Sequence, residues 1–144
     1  MQETKLHFFY DKRLDDTKLL VLAMVNQFQF LVKFTPRYSE NCHRYLERRG
    51  RAPKLLNCCQ FRGGWKAVFM EISRYKPLYG MKLTDEENNK VREKVMKVVI
   101  DLHEGGFVHG DIRDTNILVD PDSLTNNSDG VNVQLIDFVP AWSE

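Results

Sequence analysis

The sequence predicts an α+β fold, and three observations carry that prediction. Short apolar runs broken by polar residues and turn signals fill residues 19–72 and read as strands. One later stretch, Thr84–Glu104, carries apolar residues at helical spacing behind a capping signal. A polar loop, His109–Asn116, then lies between apolar segments and holds carboxylates and a carboxamide. At 144 residues and 42% hydrophobic, the chain has a single-domain length and enough apolar side chains for a core.

In order, Leu6–Tyr10 reads as a strand and Asp11–Thr17 as a charged turn. Leu19–Val25 and Phe28–Phe34 read as a hairpin, with Asn26-Gln27 as its tight connection despite the missing Asn-Gly. Arg37–Arg49 reads as a helix, with Pro36 near its start and Gly50 placed to end it. Lys54–Phe61 and Trp65–Ile72 form a second expected hairpin around Gly63-Gly64. Pro77 and Gly80 punctuate a connector. The helix after Thr84 has a capping box, Thr84 with Glu87, and an apolar face of Val91, Val95, Val98, Val99 and Leu102. Gly105-Gly106 stops it, and a short strand is expected before His109. Ile117–Val119 and a segment ending at Asp137 read as strands, with Pro121–Gly130 a surface loop between them.

Charge and composition exclude several classes. A formal charge of +1 argues against a nucleic-acid binder. The densest positive stretch, Arg44, Arg48, Arg49, Arg51 and Lys54, is interspersed with Glu40 and Glu47 and reads as a solvated helix face. Cys42, Cys58 and Cys59 have no metal or disulfide spacing and read as reduced thiols. The N-terminus lacks signal-peptide order, and Leu19–Phe34 is too short and too polar to cross a bilayer. The expectation is a soluble, intracellular, cytoplasmic protein with no nucleic-acid or membrane partner.

His109-Gly110-Asp111-Ile112-Arg113-Asp114-Thr115-Asn116, followed by Leu135-Ile136-Asp137-Phe138, is the most informative pattern. Asp and Asn are common turn residues, so one fragment alone would mean little. Together, and in this order, the pieces resemble the catalytic loop H-R-D-x-x-x-x-N and the D-F-G loop of protein kinases. The resemblance implies a two-lobed kinase-like fold: a small antiparallel N-terminal sheet with one helix, plus a truncated, mainly helical C-terminal lobe. It divides a single domain, residues 1–144, into an N-lobe-like segment (residues 1–72), a hinge (73–83) and a partial C-lobe (84–144).

The resemblance also implies roles. Asp111 is expected to accept the hydroxyl proton, with Asn116 and Asp137 as metal ligands. Lys33, in Phe30-Leu31-Val32-Lys33-Phe34, matches the lysine that pairs with the nucleotide phosphates. Glu40 or Glu47, two helical turns apart, would orient it, and Glu40 is chosen. The alternative for both is pairing with nearby arginines. Arg113 matches the cation that contacts the transferred phosphate, the alternative being a surface salt bridge. Met70 would sit behind the adenine, with backbone groups of Glu71 and Ile72 against the base edge. The expected function is an ATP- and Mg-dependent phosphotransferase acting on a hydroxyl of a protein or small molecule.

Several features depart from the pattern. Gly110 stands for the usual Arg, and Val139 for the glycine of D-F-G. No glycine precedes Lys33, so the permissive phosphate-closing loop is absent. The sequence stops seven residues after Asp137, without an activation segment. A His-Gly-Asp triplet also occurs in aminoglycoside and choline kinases and in short fungal kinase-like proteins, which leaves the acceptor open. The alternatives are a pseudokinase that binds nucleotide or protein, or a truncated kinase domain whose lower surface a protein partner covers.

Overall fold

The structure, a computed structural model, describes residues 9–15, 19–125, 130–138 and 140, the side chains of 9–15 excepted. The expectations for Leu6–Phe8, Asp16-Thr17 and Val139 lie outside those residues. The chain divides into two compact units, Met1–Pro36 with Leu55–Ile72 and Arg37–Lys54 with Ser73–Glu144.

The first unit is a five-stranded antiparallel sheet. Its strands are β1 (Phe9–Asp15), β2 (Leu19–Val25), β3 (Phe28–Thr35), β4 (Leu55–Gln60) and β5 (Lys66–Met70), in spatial order β1-β2-β3-β5-β4. The expected hairpin forms with Leu19 opposite Phe34 and Val25 opposite Phe28. Its two-residue turn puts Asn26 at φ 52° and Gln27 at φ 69°, the left-handed pair that matches the twist of the strands. Asn tolerates that conformation well and Gln less so, which is why the sequence signal is weak. Alternation buries Val21, Ala23, Phe30 and Val32 as one core, with Phe34 and Phe69 packed on it. The charged segment from Asp11 to Asp15 is strand β1 rather than a turn. It lies at the edge of that sheet.

The second unit contains helix α1 (Glu40–Glu47), helix α2 (Asp85–Glu104), the short α3 (Pro121–Thr125), and a three-stranded antiparallel sheet. That sheet is β6 (Lys76–Pro77), β7 (Ile117–Val119) and β8 (Val133–Leu135). Apart from that small sheet this unit is mainly helical, and the surface loop after Pro121 opens as a helical turn. The short strand expected before His109 does not form. Thr84 caps α2, and its hydroxyl and the Glu87 carboxylate exchange backbone bonds as a full capping box. Val91, Val95, Val98 and Leu102 are buried along one face.

Helix α1 groups with the second unit, which differs from a division that places residues 37–54 in the N-lobe-like segment. Backbone bonds account for it: Ser39 N–H donates to the Phe138 carbonyl at 2.7 Å, and Leu135 N–H to the Arg51 carbonyl at 2.9 Å. The Tyr45 hydroxyl donates to Asp101 of α2 at 3.0–3.1 Å. The helix is also shorter than expected because Ser39 caps it, accepting from the Cys42 N–H.

Candidate active site

The loop after α2 is shaped by glycine and histidine. Gly110 sits at φ 83°, a conformation open to glycine and costly for arginine, which is a physical reason for the departure from H-R-D. His109 is 2% exposed. Its Nδ1 accepts from the Asp111 N–H at 3.2 Å, so Nδ1 carries no proton. The proton is therefore on Nε2, which donates to the Ile136 carbonyl at 2.6 Å.

The Ile136 peptide is held from its other side too. Its N–H donates to the Asn116 carbonyl at 3.1 Å. Two bonds thus fix the residue that precedes Asp137 against the loop that carries Asp111 and Asn116. Asp137 itself adopts φ 65°, a strained region that Asp occupies more readily than most residues and that clusters at functional sites.

Asn116 is fully buried, in a 3-10 turn whose N–H bonds back to the Arg113 carbonyl. Its Nδ2 donates at 3.0 Å to both the main-chain oxygen and Oδ2 of Asp111. Two acceptors on one side orient the amide nitrogen toward Asp111. Asp111 Oδ1 pairs with Arg113 Nε at 3.2 Å. Both partners are about half exposed (45% and 58%), so this pair adds little stability. The Thr115 hydroxyl oxygen is buried without a hydrogen-bond partner.

Phe138 anchors the site to α1. It is 1% exposed and packs against His109, His43 and Tyr38, with ring centroids 5.4, 4.8 and 6.2 Å away. His43 is fully buried, and its Nε2–H donates to the Pro53 carbonyl at 2.7 Å. Its Nδ1 accepts from the Tyr38 hydroxyl at 2.6 Å. Burial pushes the His43 imidazole below its ordinary pKa, against the Pro53 bond and Glu47, which favour the charged form.

The second unit thus brings Asp111, Arg113, Asn116 and the backbone of Asp137 together. The remaining sequence-predicted residues are placed separately. Lys33 lies in β3, buried at 8% exposure, opposite Leu20 and Val68. Met70 ends β5 and is buried, Glu71 is half-buried, and Ile72 is 45% exposed. Glu40 opens α1 and pairs with Arg44 at 3.1 Å, the arginine pairing that was its alternative. The positioning roles of His109 and Phe138 leave only the His-x-Asp and Asp-Phe pairs as traces in the sequence, and that of His43 leaves none.

The three cysteines are free, and among the described residues no group of three or more His, Cys, Asp or Glu side chains gathers as for a metal ion. Among those residues, no helix is long and apolar enough to cross a membrane.

No family model matches the sequence, and no curated protein matches it. Solved structures do. The Cydia pomonella granulovirus kinase PK-1 superposes with a TM-score of 0.71 at 18% identity, over 92% of this chain and 51% of that one. The Mycobacterium tuberculosis PknI kinase domain, solved as a double mutant, gives 0.60 at 14% identity, over 91% and 60%. This chain therefore spans about half to three-fifths of the length of those structures. On that likeness the chain has a protein kinase-like fold.

Proposed function

We propose that the protein is an ATP- and Mg-dependent phosphotransferase that transfers the γ-phosphate to a hydroxyl. The observation that supports this most is the Asp111–Asn116–Ile136 arrangement. The catalytic-loop acid, the carboxamide and the residue before Asp137 are tied by five hydrogen bonds through His109, Asn116 and Ile136.

In this reading Asp111 receives the acceptor hydroxyl's proton or orients that hydroxyl. Arg113, now on Asp111, turns to the transferred phosphoryl oxygens and releases the carboxylate for that role. Asn116 Oδ1 and the Asp137 carboxylate are hard oxygen donors of the kind magnesium takes, and the enforced orientation of the Asn116 amide suits them to it. Bound there, the metal would neutralise the nucleotide phosphates. Lys33 holds those phosphates, with Glu40 orienting it. Met70 backs the adenine, and the main chain of Glu71 and Ile72 meets its edge.

A second reading, a nucleotide-binding pseudokinase, draws on one sequence feature: no glycine precedes Lys33. A partner surface belongs to either reading. An open groove of about 850 Å³ runs along α2, lined by Leu78, Val91, Val95, Met96, Ile112 and Ile117 with polar neighbours, and a protein partner would cover it.

The experiment is a thermal-shift titration with ATP, with and without magnesium, on the protein and on Asp137→Asn. Asn tolerates φ above zero, so this variant removes charge rather than backbone fit. A rise in Tm that needs both the metal and Asp137 supports the nucleotide site. No rise at millimolar ATP rejects it. Phosphate transfer lost in Asp111→Ala then separates enzyme from pseudokinase.

A further inference from the structure

The positive stretch from Arg44 to Lys54 is not a uniform solvated face. Arg44 is engaged by Glu40 at 3.1 Å and by Glu47 at 4.0 Å. Arg49 is engaged by Asp101 at 3.1 Å and stacks 3.6 Å over the Tyr45 ring. Arg51 differs: it is half-buried, and among the described residues no carboxylate lies within ion-pair distance of it.

The backbone of Arg51 is fixed on both sides. Its N–H donates to the Leu46 carbonyl at 2.8 Å, and its carbonyl accepts from Leu135 at 2.9 Å. Strand β8, which holds that carbonyl, also packs against α2. The flank of α2 on this side carries Lys94, Lys97 and Asp101, at spacings of three and seven residues that share one edge of a helix. Asp101 is occupied by Arg49 and Tyr45. Lys94 is half-buried and Lys97 exposed, and neither has an ion-pair partner among the described residues.

Burial, then the cations Arg51 and Lys97, hold the Lys94 ammonium below its ordinary value. Three like charges gathered beside a single acid that Arg49 already engages are unfavourable, and an oxyanion between them reduces the repulsion. A guanidinium fork with two ammonium groups suits a phosphate, the fork binding two oxygens and the lysines acting as point charges.

We infer that Arg51, Lys94 and Lys97 form a second anion site, separate from the Asp111–Asp137 loops, that takes a small phosphate or polyphosphate anion. The probe is inorganic pyrophosphate in the millimolar range, compared with chloride at equal ionic strength so that general screening cancels. A saturable rise in Tm of a few degrees is expected for the protein and for Asp137→Asn, without magnesium. The rise should vanish in the double variant Lys94→Gln/Lys97→Gln. Absence of a saturable rise, or one that survives the double variant, overturns the site.

A second measurement does not depend on variants folding. The lysine Cε resonances of the unmodified protein are followed through the same titration. Lys94 and Lys97 should move together and saturate at one concentration; movement of other lysines alone overturns the assignment. Because magnesium and Asp137 play no role, failure here leaves the proposed nucleotide site untouched, and the reverse also holds.

Discussion

His109 Nε2 and the Ile136 carbonyl oxygen lie 2.6 Å apart, and this bond links the catalytic-type loop to the strand that delivers Asp137. Because His109 Nδ1 also accepts from the Asp111 N–H, one neutral ring spans two loops. In His109→Phe the ring volume is roughly kept, but a buried carbonyl and an N–H lose their partner. The expected loss is about 2 kcal/mol or more in urea unfolding, the usual result of stranding buried polar groups. A change below a few tenths of a kcal/mol would show that water replaces the ring.

Asn116→Asp tests the amide orientation. The new carboxylate cannot donate to Asp111, and it then faces the Asp111 carboxylate and main-chain oxygen where two 3.0 Å bonds had been. Stability at neutral pH should fall by about 1–3 kcal/mol in urea unfolding, and an unchanged midpoint would show that the amide bonds are not needed. Loss of the Mg-dependent ATP shift should accompany it if the proposed site is right.

Gly105 is a space requirement rather than a conformational one, since its φ of −77° suits any residue. A Cβ there would lie 2.3–2.6 Å from Cζ, Cε2 and Oη of Tyr45. That ring is held by Arg49 above it and by Asp101 at its hydroxyl, so it yields only at a cost. Gly105→Ala should destabilise by about 1–3 kcal/mol, the range for overpacking. Tyr45→Leu in the same background should recover some of the loss, and a purely additive result would disprove the clash.

His43 should make stability fall with mild acid. Its folded pKa is lowered from about 6.5, so the folded state binds fewer protons there than the unfolded chain. The contribution is complete above pH 6.5 and disappears as pH falls from there through the folded value. In His43→Gln, which keeps one donor for Pro53 and one acceptor for Tyr38, the slope of unfolding free energy below pH 6.5 should flatten. An unchanged slope would assign the acid sensitivity elsewhere.

Asp120 governs a more acidic window. It is 4% exposed and accepts from both Arg74 nitrogens at 2.7 and 2.9 Å, which holds its carboxyl below the usual range. Its Oδ1 also accepts from the Asp122 N–H at the start of α3. A depressed folded pKa gives stability that is present above about pH 4 and lost as pH falls through the folded value. Asp120→Asn should lower Tm at pH 7 and remove its share of the acid transition. Equal Tm differences at pH 7 and pH 3 would contradict it.

Local chemistry made much of the fold legible. The Thr84–Glu87 box, the apolar stripe of α2, the β2–β3 hairpin and its Asn26-Gln27 turn depend on neighbours within a few residues, and each forms as the pattern implies. The loop containing Asp111 and Asn116 was legible for the same reason: five residues separate two groups that bond each other directly. Where local signals conflicted, the outcome went elsewhere. The charges of Asp11–Asp15 suggest a turn, but this segment pairs with Leu20–Leu22 as an edge strand.

Short-range pattern was thus enough for the strand and helix periods, the Thr84 cap, and the acids and amide of the loop. Which unit holds α1 was settled by long-range pairing, because Ser39–Phe138 and Arg51–Leu135 join residues far apart in the chain. Long-range packing also set the tautomers of His109 and His43, through Ile136 and Pro53. Those depend on burial and on how distant segments meet, and neither periodicity nor spacing encodes them.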